Sequence, residues 1–238
     1  MIIANKFLNI IFPPQCLICK NIVSENGTLC LDCWQQIRFI SDPICEKCGT
    51  SFEYDMGNNA LCAGCIHDEP KYTRARAAFC YDEHSHKLIT RLKYSDQTQL
   101  AITYSNWLIN AGKEFIEVSD IVTPVPLHYL RFIGRRFNQS ALLASNLASK
   151  TNISYLPDLL KRKRYTKPQT GLTKKQREKN VRNAFLVNEH YIKSVKNKNI
   201  LLIDDVFTTG STINQCSKSL LKAGASQVNV LTLARTIK

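Results

Sequence analysis

The sequence predicts an α/β protein: a parallel sheet flanked by helices, preceded by a small cysteine-rich domain. Three observations carry this. Eight of the ten cysteines fall within the first 65 residues, as four C-x-x-C pairs. From Asp120 onward, apolar strand-like runs alternate with helical ones, over 120–125, 138–150, 152–156, 200–204, 211–223 and 226–234, the pattern of strands joined by crossover helices. One of these runs, Ile200 to Ile203, is continuously apolar, as a strand buried on both faces must be, and leads into two carboxylates and a short Thr/Gly/Ser loop.

The cysteine pairs are Cys16/Cys19, Cys30/Cys33, Cys45/Cys48 and Cys62/Cys65. This is zinc-ribbon spacing, since a C-x-x-C turn presents two thiolates to one tetrahedral ion. Two structural Zn²⁺ ions are expected in a double zinc-ribbon domain over residues 1–68. The simplest partition is sequential, with the first four cysteines on one ion and the last four on the other; an interleaved partition is the alternative. A disulfide framework would need an oxidising compartment, and no cleavable signal peptide is visible. Four thiolates close a site to substrate, so the metal folds a segment too small for its own core. Cys80 and Cys216 stand apart and read as core residues.

Residues 1–12 are largely apolar and helix-like, and Pro13-Pro14 ends them. With Lys6 inside, the stretch is too short to span a bilayer. It reads as a helix packed on the body, with a weak membrane-surface anchor as the alternative. The second domain covers 69–238. Tyr72 to Tyr81 reads as a strand, His84 to Tyr94 as a helix, and Gln99 to Phe115 as a helix with Leu100, Tyr104, Trp107, Leu108 and Ala111 on one face. His84 and His86 are two apart, share no helix face, and are expected to face solvent.

The chemistry is expected after Ile203. Asp204 and Asp205 end the strand, and Val206, Phe207, Thr208, Thr209, Gly210, Ser211 and Thr212 lead into an amphipathic helix carrying Ile213, Cys216, Leu220 and Leu221. Ligands of open α/β sheets bind outside the carboxyl ends of strands. A loop of backbone N–H groups running into a helix N-terminus suits an anion. Adjacent carboxylates suit sugar hydroxyls or Mg²⁺ on a polyphosphate. No Lys follows the glycine as in a Walker A loop, and the spaced glycines of a dinucleotide fingerprint are missing. The stretch resembles the 5-phosphoribosyl-1-pyrophosphate (PRPP) motif of type I phosphoribosyltransferases, which implies a phosphoribosyltransferase-like sheet.

Two more segments are expected at the same edge. Pro124-Val-Pro126-Leu127-His128 follows a buried strand and precedes Arg131, Arg135 and Arg136; guanidinium forks match phosphate oxygens. The segment from Lys161 to Arg182 holds ten Lys/Arg against one acid, Glu178, in a chain of formal charge +13. It reads as a mobile basic loop whose Arg162, Arg164, Lys174 and Arg177 suit a pyrophosphate or nucleic-acid phosphate. Phe132, Phe137 and Tyr165 lie near these charges and are candidates for base stacking.

Together the segments resemble the ComF family of natural-competence proteins over nearly the whole chain. The resemblance runs from the Pro-Pro and C-x-x-C segments through Pro124-x-Pro126-Leu-His128, Arg131, Arg135 to Gln139, Thr166-x-Pro168-Gln169-Thr170, Arg177, Asn180 and Phe185 to the Asp204–Thr212 motif. Phe137 follows Arg136 where the family usually has Gly. The resemblance implies zinc, a phosphoribosyltransferase fold, single-stranded DNA and PRPP or a related phosphoribosyl ligand as partners, and a competence helicase or other DNA-uptake proteins nearby. It implies handling of incoming single-stranded DNA during transformation. The alternative is an active Mg²⁺-dependent phosphoribosyltransferase, with Asp204 and Asp205 as its catalytic pair. The chain ends four residues after Ala234, so no C-terminal hood for a nucleobase is visible. No spanning segment is visible, and a cytoplasmic location, near the inner membrane face, is expected.

Overall fold

The computed structural model describes residues 12–94, 98–127, 138–163, 176, 180, 181 and 183–237, without the side chains of 93, 94, 98 and 99. Two short helices, α1 (Leu31–Gln36) and α2 (Ala63–His67), belong to the cysteine-rich part. Then follow β1 (Ala75–Cys80), α3 (His86–Tyr94), α4 (Thr98–Ala111), α5 (Lys113–Ile116), β2 (Ile121–Pro124), α6 (Gln139–Thr151) and β3 (Ser154–Tyr155). The chain continues with β4 (Leu160–Arg162), β5 (Phe185–Val187), a 3₁₀ turn (Glu189–Tyr191), α7 (Ile192–Val195), β6 (Asn199–Phe207), α8 (Ser211–Lys222) and β7 (Gln227–Arg235). The expected N-terminal helix lies almost wholly outside the described residues.

The five-stranded sheet runs β1-β7-β6-β2-β3, and all its pairings are parallel. β6 is central, which explains why Ile200 to Ile203 carries no polar residue: both its faces are covered. Ile200 and Leu202 pack with Val228, Val230 and the apolar face of α8. Leu201 and Ile203 pack on the other face with Leu231, Leu233 and residues of α3, α4 and α6. Cys216 is buried in the first of these cores and Cys80 is buried too, as expected, and His84 and His86 are exposed.

Three elements differ from expectation. The helix read over Gln99 to Phe115 breaks at Gly112, where a Cβ would drive into the Leu231 side chain; only the bare backbone fits there. The strand read over Tyr72 to Tyr81 is shorter, Ala75–Cys80, and is buried at every position. Its outer edge is covered by the cysteine-rich part, with the Ile40 N–H donating to Ala78 O, the Cys80 N–H to Arg38 O and the Ala75 N–H to Lys47 O. A free edge would invite pairing with other chains, and here it is closed. Finally, the basic loop expected from Lys161 begins as a strand. β4 pairs antiparallel with β5, and the Arg162 guanidinium lies 5.3 Å from the centre of the Phe185 ring.

The cysteine-rich part is clamped to the sheet by charge as well. Arg76 on β1 binds Glu46 at 3.3 Å and Glu114 at 3.1 Å, and Arg74 reaches the same two acids. Arg76 is nearly buried, so these partners keep its charge solvated by protein.

Helix α6 starts beside the end of β2 because of Asn138. Its side-chain oxygen accepts the Ser140 N–H at 3.1 Å, and its amide donates to Val125 O at 3.1 Å. Replacing Asn138 with Ala removes both a helix cap and this tie. Unfolding free energy from urea titration is expected to fall by about 1–2 kcal/mol. An unchanged midpoint and slope would show that the cap contributes nothing.

Candidate functional site: a loop at the carboxyl edge and two cysteine clusters

Strand β6 carries Asp204 and Asp205 further into the sheet than expected, since the strand continues to Phe207. Both carboxylates are half-buried at its carboxyl end. Asp204 Oδ1 accepts the Ser140 hydroxyl at 3.0 Å and the Asp205 N–H at 3.0 Å. Asp205 Oδ1 accepts the Val206 N–H at 2.7 Å. Because β2 pairs parallel with β6, the turn after Pro124 opens on the same edge. The Val125 N–H donates to Ile203 O at 2.8 Å, and Pro126 and Leu127 follow, half-buried. Thus the structure brings the Pro126 turn, the start of α6 and the acid pair together. His128, Arg131, Arg135, Arg136, Arg164, Lys174 and Arg177, like Phe132, Phe137 and Tyr165, lie outside the described residues.

The loop after β6 is held from within. Thr209 and Ser211 share a hydroxyl hydrogen bond of 2.8 Å. Gly210 adopts φ +73°, in the left-handed region, and precedes the first residue of α8. It also packs against Phe207, whose Cζ would lie 2.8 Å from an added Cβ. Phe207 in turn is fixed by Tyr72, edge-on at 6.1 Å, and by the Arg235 guanidinium, 4.2 Å from its ring centre. The Thr236 N–H donates to Phe207 O, and its hydroxyl reaches Thr208 O. The outcome is a rigid loop whose N–H groups end at a helix N-terminus, a geometry suited to an anion.

The cysteines gather in sequence order. Cys16, Cys19, Cys30 and Cys33 form one cluster and Cys45, Cys48, Cys62 and Cys65 the other, with sulfurs within 4.8 Å of each other. The sequential partition is therefore the one the fold adopts. The sulfur sets fit a tetrahedral zinc ion, and backbone donors favour the thiolate form a metal needs. The Ile18 N–H points at Cys16 Sγ (3.4 Å) and the Cys62 N–H at Cys45 Sγ (3.3 Å). Burial opposes ionisation, yet backbone N–H groups bring Cys16 down to about 6 and Cys45 to about 7. At Cys48 burial wins, pushing the thiol up to about 11 against the pull of Arg235.

The two clusters pack on opposite faces of the sheet. Cys45, Cys48 and Cys65 lie in the core shared with α8, while Leu17 and Ile37 of the first ribbon join the core on the other side. Arg235, at the end of β7, donates to Cys48 O at 2.6 Å and to Cys48 Sγ at 3.2 Å. It therefore touches both the second cysteine cluster and Phe207, beneath the loop. Sequence reasoning missed Arg235 and Ser140. A single charge closing the uncharged, strand-like run Val228 to Ala234, at the carboxyl edge, was the available signal for Arg235. Nothing local marked Ser140. Among the described residues no helix is long and apolar enough to cross a membrane.

Similarity to known proteins covers both parts of the chain. Residues 7–66 match the double zinc ribbon domain family, and residues 138–238 match the phosphoribosyl transferase domain family. Competence protein F of Haemophilus influenzae is 33% identical, with 93% of this chain and 96% of that protein covered. DNA utilization protein YhgH of Escherichia coli is 28% identical, over 94% of this chain and 98% of its own. A solved glutamine phosphoribosylpyrophosphate amidotransferase from B. subtilis is similar over 60% of this chain and 30% of its own, at 22% identity and a TM-score of 0.38. Two cysteine clusters in sequence order, a parallel sheet with a loop at its carboxyl edge, and a match to Competence protein F along almost the entire length put this chain in the ComF family.

Proposed function

We propose that this protein handles incoming single-stranded DNA during natural transformation and that its Asp204–Thr212 edge binds a phosphoribosyl group. The observation carrying the reading is the loop: Gly210 in the left-handed conformation, locked on Phe207, at the start of α8 and next to the Asp204/Asp205 pair. Phosphate takes the loop N–H groups, and the carboxylates face the sugar hydroxyls, directly or through Mg²⁺. PRPP is the ligand that uses all of these features. The relatives' names, competence and DNA utilization, support DNA as the physiological partner. The formal charge of +13 supports a polyanion, with the basic stretch 161–182 and Arg131, Arg135 and Arg136 as phosphate contacts. Structural zinc in each ribbon holds the frame. A cytoplasmic site of action, at the inner membrane face, fits a strand arriving through an uptake channel and passed on by a helicase.

The test is fluorescence anisotropy of a labelled single-stranded oligonucleotide across a salt series, with and without Mg²⁺-PRPP. Binding is expected to weaken steeply with salt, with a log–log slope of about −0.7 for each phosphate neutralised. Competition by PRPP puts the strand at the loop; binding without competition puts it on the ribbons or the basic segment. No binding at low salt removes direct DNA handling. An acceptor screen with labelled PRPP then tests the transferase alternative, in which Asp204, oriented by Ser140, stabilises charge developing on the ribose.

A further inference from the structure

A cavity of about 510 Å³ lies between the second ribbon and the loop. Its walls include Thr208 to Ser211 on one side and Cys48, Cys62 and Cys65 on another, with Phe52 half-buried in the lining and Tyr72 and Phe207 almost wholly buried behind it. Neither Asp204 nor Asp205 borders it. The loop therefore borders a space that the two carboxylates do not share.

We propose that this cavity receives a nucleoside esterified to the phosphate on the loop, so that the site accepts a phosphodiester and not only a terminal phosphate. The inference rests on the phosphate reading of the loop and extends it to the next unit of the ligand. A phosphate whose sugar lies toward the carboxylates keeps non-ester oxygens, one of which can carry a second ester, and the ribbon cavity is an open space beside the loop for that group. The volume is that of a small-ligand pocket. The accessible Phe52 ring suits a base, because every base has a π-face. The charge argues for a neutral occupant. Four thiolates on one divalent ion would leave a net negative charge beside the cavity, and the Arg235 guanidinium in its lining is engaged by Cys48 O and Sγ. A further phosphate would be repelled there, whereas an uncharged nucleoside is not.

The probes are ribose 5-phosphate, which reaches only the loop and carboxylates, and the dinucleotide thymidylyl-thymidine, whose single phosphate is a diester. Binding of each is measured by calorimetry on the zinc-loaded full chain. Ala63 borders the cavity, is exposed, and opens α2, so Ala63→Phe fills the space without touching a metal ligand. Ala63→Phe and Phe52→Ala are each expected to weaken the dinucleotide about tenfold and to leave ribose 5-phosphate unchanged. Zinc content and melting temperature report whether each variant is folded. Binding of ribose 5-phosphate without binding of the dinucleotide overturns the inference and leaves the loop reading standing. So does a dinucleotide affinity that neither variant alters, or an equal loss for both probes in folded variants. Binding of neither probe to the unaltered protein overturns both.

Discussion

Gly210→Ala is expected to lower affinity for ribose 5-phosphate about a hundredfold while the protein stays folded. Two effects combine at this position. The backbone sits at φ +73°, where an L side chain costs about 1–2 kcal/mol. The added Cβ also meets Phe207 Cζ at 2.8 Å, closer than real carbon contacts allow. Phe207 has little room to retreat, because Tyr72 and the Arg235 guanidinium hold its ring and it is almost completely buried. The loop must move instead, and its N–H groups leave the arrangement on which anion binding depends. Gly57 separates the two effects. Its φ is +80°, yet nothing lies within 4 Å of an added Cβ. Gly57→Ala should lose about 1 kcal/mol of stability and no affinity. If Gly210→Ala bound ribose 5-phosphate as tightly as the parent protein, the loop would not be the phosphate site.

The parts of this molecule that were legible in its sequence are those made by neighbours in the chain. Strand, acid pair, loop and helix from Ile200 to Leu221 are consecutive, so their periodicity and turn chemistry are local signals. The C-x-x-C pairs are local too, although their grouping into two clusters needed the fold. What stayed hidden is long-range. Ser140 meets Asp204 across 64 positions, and Arg235 meets Cys48 across 187. The β4–β5 pair was concealed for a different reason: each strand has three residues, and the charged Lys161 and Arg162 read as loop composition. The need for a bare backbone at Gly112 comes from Leu231, a residue on another element, and no helical period reveals it. The burial of β1 similarly depends on ribbon backbone that covers its edge. The division after residue 68 marks a change of composition, but packing crosses it, since Cys45, Cys48 and Cys65 share the core of α8.

That shared core makes the second ribbon matter to the loop far more than the first. Loss of zinc from the Cys45/Cys48/Cys62/Cys65 cluster is expected to abolish ribose 5-phosphate binding and to lower the melting temperature by about 10 °C or more. Structural zinc in small ribbons contributes about 10–16 kcal/mol, as much as the whole stability of a typical domain. Without it, four packed thiols remain, and Arg235 loses the thiolate that its 3.2 Å contact to Cys48 Sγ would neutralise. Arg235 then no longer has a fixed position over Phe207, and Phe207 is what seats Gly210. Cys62→Ser is the variant of choice, because Cys62 is the least buried of the four and serine leaves the volume nearly unchanged. Cys19→Ser is its counterpart in the first ribbon, where the ligand is exposed and the cluster packs on the opposite face through Leu17 and Ile37. Metal content by mass spectrometry should fall in both variants, while binding should disappear only in Cys62→Ser. If Cys62→Ser lost its zinc and still bound ribose 5-phosphate normally, the path from Cys48 through Arg235 and Phe207 to the loop would carry no support, and the second ribbon would stabilise only itself.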